Sequence, residues 1–265
     1  MNFSHTQVSN YLGCPRRYRY RYLDGWEEKL NRAIIVFGRV FERALGAQFQ
    51  GESATEAFSQ LWNDQRDAGL EYAAGDGWER CKEDGLKLLE QFRAEARVEV
   101  ADPARNLATK YVRRIGARDQ YVAYLDAIGS LDGIAPTILE WKTTTSSYPS
   151  SPDGIVSLDQ QLIAYSWITG IPSVALVVFV RKKKPEIQYL RAAISAAQRD
   201  DYGQLVASTV ADVRQARFEP QPGIRFPQNG CLSCGYLGLC LGHEELIAEK
   251  LERKPNLVWI DQLAA

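Results

Sequence analysis

Asp126, Glu140 and Lys142 have the types and spacing for chemistry on a phosphate ester. Glu140 and Lys142 stand two apart on a segment that reads as a strand, so both side chains point to one face. Leu139 and Trp141 then point to the other face, into a core. Carboxylate oxygens are hard donors that suit Mg²⁺ or Mn²⁺. An ammonium beside such an ion can steady an attacking hydroxide or a phosphate oxygen. Asp126, expected at the end of the preceding strand, supplies a second carboxylate, and the carbonyl of Trp141 a further oxygen. By itself, Glu-x-Lys on a strand is commonly a solvated ion pair, and a lone Asp at a strand end is commonly a turn residue. The company these residues keep decides between the readings. Gln161 and Tyr165 lie one helical turn apart, and Gly38, Glu42 and Leu45 place another carboxylate on an upstream helix.

The elements that must position these groups can be read from periodicity. Ser4 to Leu12 predicts a short helix broken by Gly13-Cys14-Pro15, and Arg16 to Tyr22 a second one. Phe37, Phe41, Leu45 and Phe49 recur at helical spacing in Val36 to Phe49. Ser53 with Glu56, and Asp76 with Glu79, resemble N-terminal capping boxes of two further helices, with Trp62 and Trp78 packed inside. After Pro103 the texture changes. Leu107 to Ile115, Tyr121 to Ile128 and Thr137 to Thr143 predict strands. Ser157 to Thr169 predicts a helix capped by Ser157 with Gln160 and stopped by Gly170. Val174 to Val180 is a continuous apolar strand, as expected when both faces are covered. Strand, helix and strand in that order imply a crossover. A long helix over Ser195 to Arg217 leads into a Pro- and Gly-rich segment.

Composition sets the limits. The chain of 265 residues carries a formal charge of −1 and 45% hydrophobic residues, so it can bury a full core without disulfides. No global basic field announces a nucleic-acid partner, and any such contact must be local. No apolar run spans a bilayer, and the N-terminus lacks the features of a signal peptide, which leads to an expectation of a cytoplasmic protein. There is no phosphate-binding Gly-rich loop and no helicase motif, so ATP-driven unwinding would come from another polypeptide. His5 and His243 lie outside any motif that needs a base.

Two further clusters stand out. Cys231-x-x-Cys234-x5-Cys240 has ligand-like spacing, compatible with a zinc knuckle or a redox pair, and Cys14 lies far from it in sequence. Cys81 reads as a packed thiol within a helix. Arg16, Arg17, Arg19 and Arg21 alternate with Tyr18, Tyr20 and Tyr22. That segment can contact phosphates and stack bases of a single strand, or it can pack Tyr18 and Tyr22 inward and leave the arginines solvated. Arg181 to Lys184, which includes Lys182 and Lys183, is either a phosphate-tracking patch or a soluble turn.

Taken together, Asp126, Glu140-x-Lys142 and Gln161-x-x-x-Tyr165 resemble the PD-(D/E)XK nucleases of the RecB and Cas4 type. Gly38-x-x-x-Glu42-x-x-Leu45 is similar to that family's Gly-x-x-x-His-x-x-Leu motif, with Glu42 in place of the histidine as a possible metal ligand. The resemblance implies an α/β restriction-endonuclease-like core, with a mixed central sheet flanked by helices. It further implies an N-terminal helical region and a C-terminal cysteine segment. We expect one nuclease domain over 1–265, with a helical region at about 30–100, a catalytic core at about 105–217, and a cluster segment at about 218–245 closing on Cys14. In that type, one cysteine before Pro-Arg-Arg and three near the C-terminus hold a [4Fe–4S] cluster. Cys14, Cys231, Cys234 and Cys240 match this arrangement, with structural Zn²⁺ as the alternative. The implied activity is Mg²⁺- or Mn²⁺-dependent hydrolysis of DNA, as an exonuclease on single-stranded ends. The resemblance gives Gln161 and Tyr165 the role of positioning Lys142 and the DNA backbone. A helicase or a CRISPR adaptation complex would be its partner. The alternatives are a Cas4 factor that trims DNA for spacer acquisition, or a non-cleaving DNA-binding scaffold with a site weakened at Glu42.

Overall fold

The computed structural model describes residues 1–29, 31–149, 153–221, 224–225 and 228–254. The chain divides into a smaller unit, Met1–Leu30 with Val112–Ala123 and Asp201–Ala265, and a larger one, Asn31–Tyr111 with Tyr124–Asp200.

The smaller unit begins with strand β1 (Asn2–Phe3) and helix α1 (His5–Gly13). The Ser4 hydroxyl caps α1 by accepting from the Gln7 N–H at 3.3 Å. Helix α2 (Pro15–Tyr18) starts on a proline, where a missing N–H costs nothing, and passes into a π-helical turn, Arg19–Leu23. Tyr18 and Tyr22 are both buried, at 0% and 4% exposure. Tyr18 packs edge-on to Tyr11 and stacks on Phe218. These two tyrosines therefore belong to the core and cannot stack on bases, whereas Tyr20 stays half-buried beside Tyr236. Strand β2 (Trp26–Glu28) completes this segment.

In the larger unit three helices come first: α3 (Ala33–Phe49), α4 (Ala54–Asn63) and α5 (Trp78–Glu95). Strand β3 (Val98–Glu99) and the short helix α6 (Pro103–Asn106) follow. Strands β4 (Leu107–Ile115) and β5 (Asp119–Leu131) carry the unit boundary within them. Next come β6 (Ile134–Thr144), helices α7 (Asp153–Ser157) and α8 (Gln160–Thr169), and strands β7 (Ser173–Val180) and β8 (Glu186–Ala193). The strand order is β5–β6–β7–β8. Pairing is antiparallel, parallel and antiparallel in turn, which makes the sheet mixed. Helix α8 is the crossover between the parallel strands β6 and β7, as expected. Strand β7 is hydrogen-bonded on both sides and buried along Val174–Val180, which accounts for its unbroken apolar sequence. On one face the sheet packs Leu139, Trp141, Val177 and Phe179 against Phe37, Phe41, Phe58 and Phe92 of α3 to α5.

Two expected caps are replaced, and the replacements have a physical reason. Ser53 does cap α4, accepting from the Glu56 N–H at 3.3 Å. Asp76 does not cap α5, whose N-cap is Gly77. Its carboxylate instead accepts from Arg181 Nη2 at 2.5 Å. Arg181 is 3% exposed, donates to Cys81 Sγ at 2.8 Å and lies 4.6 Å over the Phe37 ring. A buried guanidinium demands a carboxylate more than a helix end does. Arg181 is thus an internal strut and not part of a phosphate-tracking patch. Removing it strands the Asp76 charge, so Arg181→Ala is expected to cost about 3 kcal/mol or more. A urea titration showing less than about 1 kcal/mol would refute that role. Ser157 likewise ends α7, and Asp159 caps α8 through bonds from the Gln161 and Leu162 N–H groups at 2.9 and 3.0 Å.

The chain returns to the smaller unit as helix α9 (Ala196–Arg214). In that unit Tyr202 shares a buried hydroxyl bond of 2.9 Å with Tyr121 of β5. Beyond lie β9 (Ile224–Arg225), β10 (Gln228–Asn229), α10 (Leu237–Leu241), α11 (Glu244–Lys250) and β11 (Leu251–Arg253). Strand β11 pairs antiparallel with β2 and joins the two ends of the unit. The expected cluster segment at 218–245 lies partly outside the described residues, at 222–223 and 226–227. Among the described residues no helix is long and apolar enough to cross a membrane.

Candidate active site

Glu140 and Lys142 sit on β6 between β5 and β7, with Trp141 turned to the opposite face and buried. Lys142 Nζ donates to Glu140 Oε1 at 2.5 Å and to Gln161 Oε1 at 2.8 Å. The Gln161 amide in turn donates from Nε2 to Glu140 Oε1 at 2.8 Å and to the Tyr165 hydroxyl at 2.7 Å. Gln161 thereby reads both partners at once, accepting from the lysine and donating to the carboxylate, which fixes its orientation. The α8 turn from Gln161 to Tyr165 brings both side chains to the strand, and the Asp159 cap anchors the start of that turn.

Asp126 lies inside β5, not at its end. The paired register of β5 and β6 runs from Leu131–Ile134 to Ala127–Leu139. Immediately beyond it, Asp126 Oδ2 accepts from the Trp141 N–H at 2.8 Å. Its carboxyl lies close enough to that of Glu140 for the two charges to interact. Burial raises the Asp126 pKa well above the ordinary carboxylate value, and the Glu140 and Glu42 charges push it further. Burial also raises Glu140, against the pull of Lys142. For Lys142, burial acts downward, but the Glu140 charge and hydrogen bond, with the Asp126 and Asp159 charges, together more than offset it, and the ammonium is held above its ordinary value. Burial likewise raises the Tyr165 hydroxyl, which keeps its proton and can donate.

Two carboxyl groups this close cannot both remain charged without a proton or a cation between them. Glu140 Oε2 is buried and has no hydrogen-bond partner. A buried carboxylate oxygen with no donor is costly, and a divalent cation would satisfy it while relieving the repulsion with Asp126. The donor set is all oxygen, as Mg²⁺ or Mn²⁺ requires. The residues present therefore fit such an ion.

Glu42 stands further out. The residue reaches solvent, yet the protein packed around its carboxyl, and the Glu140 charge, raise its pKa, and it lines a cavity with Asp126 and Trp141. Among the described residues no three His, Cys, Asp or Glu side chains form a metal-binding group, though the Glu42 charge acts on Asp126. Gly38, one turn earlier on α3, has a visible use. A Cβ there would lie 3.3 Å from Thr143 Oγ1, so glycine lets the helix run close to β6.

The other candidates are dispersed. Cys14, Cys231 and Cys234 are half-buried, Cys240 is exposed, and all are free thiols of the smaller unit. Burial raises the Cys234 pKa, the Tyr236 N–H and Arg17 lower it, and the Cys240 and Cys14 charges add to the rise, but among the described residues these cysteines do not gather as a metal-binding group. Arg16 donates to the Phe218 carbonyl at 3.4 Å, and Arg19 pairs with Asp24 at 3.3 Å. Lys182 pairs with Glu186, and Lys183 is exposed. Sequence reasoning missed Asp159 and the cavity residues Arg43, Gly46 and Gln50, whose roles depend on contacts remote in the chain.

A mixed sheet presenting two carboxylates and a lysine on its central strands, braced by a glutamine and a tyrosine from the crossover helix, defines a nuclease-type core. The family model of the PD-(D/E)XK nuclease superfamily matches residues 2–241. The chain belongs to that superfamily. Among solved structures it is similar in fold to a candidate exonuclease from Eubacterium rectale, at 10% identity and a TM-score of 0.52, over 100% of this chain and 93% of that one. It also aligns with SSO0001 at 15% identity and a TM-score of 0.40, over 91% of this chain and 86% of that one. No curated protein matches the chain.

Proposed function

We propose that the protein is a metal-dependent deoxyribonuclease acting as an exonuclease on single-stranded DNA ends. The observation that carries this reading is the Glu140–Lys142–Gln161–Tyr165 network beside Asp126, with Glu140 Oε2 left without a donor. Asp126 and Glu140 would hold Mg²⁺ or Mn²⁺, helped by the Trp141 carbonyl, with Glu42 at the rim. Such an ion supplies Lewis-acid activation of water and of the phosphoryl oxygens. Lys142, kept charged by Glu140, donates to a non-bridging phosphate oxygen as negative charge builds there. Gln161 holds that ammonium in place, and Tyr165 fixes the amide. Water forms the new P–O bond in line and gives up a proton to solvent, while the bond to the opposite ester oxygen breaks and that oxygen takes up a proton from solvent. The fold relative from E. rectale is itself named as a candidate exonuclease, in keeping with the exonuclease reading.

We further propose that Cys14, Cys231, Cys234 and Cys240 carry a [4Fe–4S] cluster of the RecB and Cas4 type, with Zn²⁺ as the competing ion. The likeness of their order and spacing to that type supports this reading. Anaerobically purified protein is expected to be brown, with about four irons per chain. Colourless protein with one zinc and no iron would sink the cluster.

The nuclease reading is tested by incubating end-labelled single- and double-stranded DNA with each metal. Shortening of single strands from an end is the expected result. Binding of DNA without any cleavage would favour a scaffold with a site weakened at Glu42. Trimming only in the presence of a CRISPR adaptation complex would favour the Cas4 role.

A further inference from the structure

The cavity that Asp126 shares with Glu42 and Trp141 extends well beyond the carboxylates. It has a volume of about 550 Å³ and is walled by α3, α4 and the α6–β4 segment, within the roughly 300–1,000 Å³ of small-molecule sites. Ala47, Leu61, Leu107 and Trp141 give it apolar walls, and Arg43, Gln50 and Gln60 supply polar groups beside the carboxylates of Glu42, Glu52 and Asp126. Nucleobases have this same division, with apolar faces and hydrogen-bonding edges. Glutamine amides both donate and accept, so they serve the edge of any base without choosing among them.

Two details show that the wall is built and not incidental. Asp102 and Ala108, which bracket α6, both have left-handed backbone, at φ 48° and 45°. Residues with a Cβ seldom adopt that conformation, and it concentrates at ligand-binding sites. Gly46 faces the opposite side, where a Cβ would meet nothing within 4 Å. A glycine inside a helix with free space beside it lacks a packing reason, and here it leaves the cavity open.

We propose that this cavity receives the single nucleoside next to the scissile phosphate, so that the protein releases mononucleotides. The inference rests on the proposed nuclease reading, because it takes Asp126 to stand at that phosphate. Arg43 faces the sugar-phosphate side of the bound nucleotide, and the walls leave room for one residue of the DNA chain.

The test is calorimetric titration with deoxyadenosine monophosphate, with inorganic phosphate as competitor, together with product sizing on end-labelled single-stranded DNA. Gly46→Phe fills the cavity and is expected to weaken nucleotide binding at least tenfold. It should also slow mononucleotide release to the same degree. Gly46→Ala, which adds only a methyl to the helix, serves as the folding control and should raise thermal stability. Ala104→Trp, on the exposed face of α6 that lines the cavity, gives a second blocking variant should Gly46→Phe fail to fold. Wild-type protein that does not bind the nucleotide, binding equally displaced by inorganic phosphate, or blocked variants that bind as wild type would overturn the pocket, even with cleavage intact. Nucleotide binding that persists where wild type cleaves no faster than Lys142→Ala would overturn the nuclease reading instead.

Discussion

Lys142→Ala is expected to reduce metal-dependent cleavage of single-stranded DNA by about 10²–10³-fold, the range for losing one preorganised donor to a developing oxyanion. The ammonium has two ties, to Glu140 and to Gln161, so it is aimed before substrate arrives. Lys142→Arg should recover little. A planar guanidinium cannot take the place of a compact ammonium between a carboxylate and an amide oxygen. Because Lys142 also neutralises buried Glu140, its loss is expected to raise the Glu140 pKa and loosen the site. The cleavage comparison therefore needs circular dichroism on the same samples. A rate within tenfold of wild type, with the fold intact, would remove Lys142 from the chemistry.

Asp126→Asn should act in opposite directions on activity and on stability. The folded-state pKa of Asp126 is raised by burial and by neighbouring carboxylates. For an acid shifted upward, the charged form is disfavoured in the fold. Stability is then greatest below the unfolded value of about 3.9 and declines as pH rises through the folded one. At neutral pH the metal-free wild type carries this penalty. Asparagine keeps an oxygen for the Trp141 N–H and removes the charge, so the variant should gain about 0.5–2 kcal/mol without metal. At roughly 2–4 °C per kcal/mol for a chain of this size, the gain is measurable by thermal melting. Added Mn²⁺ should raise the wild-type melting temperature, by about 2.7 kcal/mol equivalent at a hundredfold excess over Kd, and leave the variant unmoved. Cleavage should fall with the lost ligand. A wild-type melting curve indifferent to both Mn²⁺ and Mg²⁺ would argue that Asp126 and Glu140 hold no ion.

The central strands were legible because their chemistry and their packing alternate in step. Leu139 and Trp141 supply one face of β6 while Glu140 and Lys142 occupy the other, and a period of two exposes both patterns at once. The C-terminal end of α8 was legible but not its start or its cap, because Ser157 and Asp159 are equally good capping types and only the break after α7 decides. The Asp76 cap failed for a reason no local pattern contains. Its partner Arg181 is 105 residues away in sequence. Strand β8 was passed over because its residues are mostly half-buried and give no clean alternation. The cavity beside Asp126 was invisible for a similar reason, since alanines and a glycine carry no signal until three helices enclose them.

The bond from the Trp141 N–H to Asp126 has a bearing on how this protein's descendants would lose activity. Where the β5–β6 ladder stops, a side chain supplies the missing rung. On the proposed nuclease reading, a lineage released from that task could shed Lys142 at the cost of a looser site, yet it would still need an acceptor at 126 to hold the two strands at their parting. Decay should therefore leave a signature, with asparagine or aspartate persisting at 126 after the lysine has drifted. A surviving Asp126 is then evidence of inheritance, and only the lysine reports that the blade is still sharp.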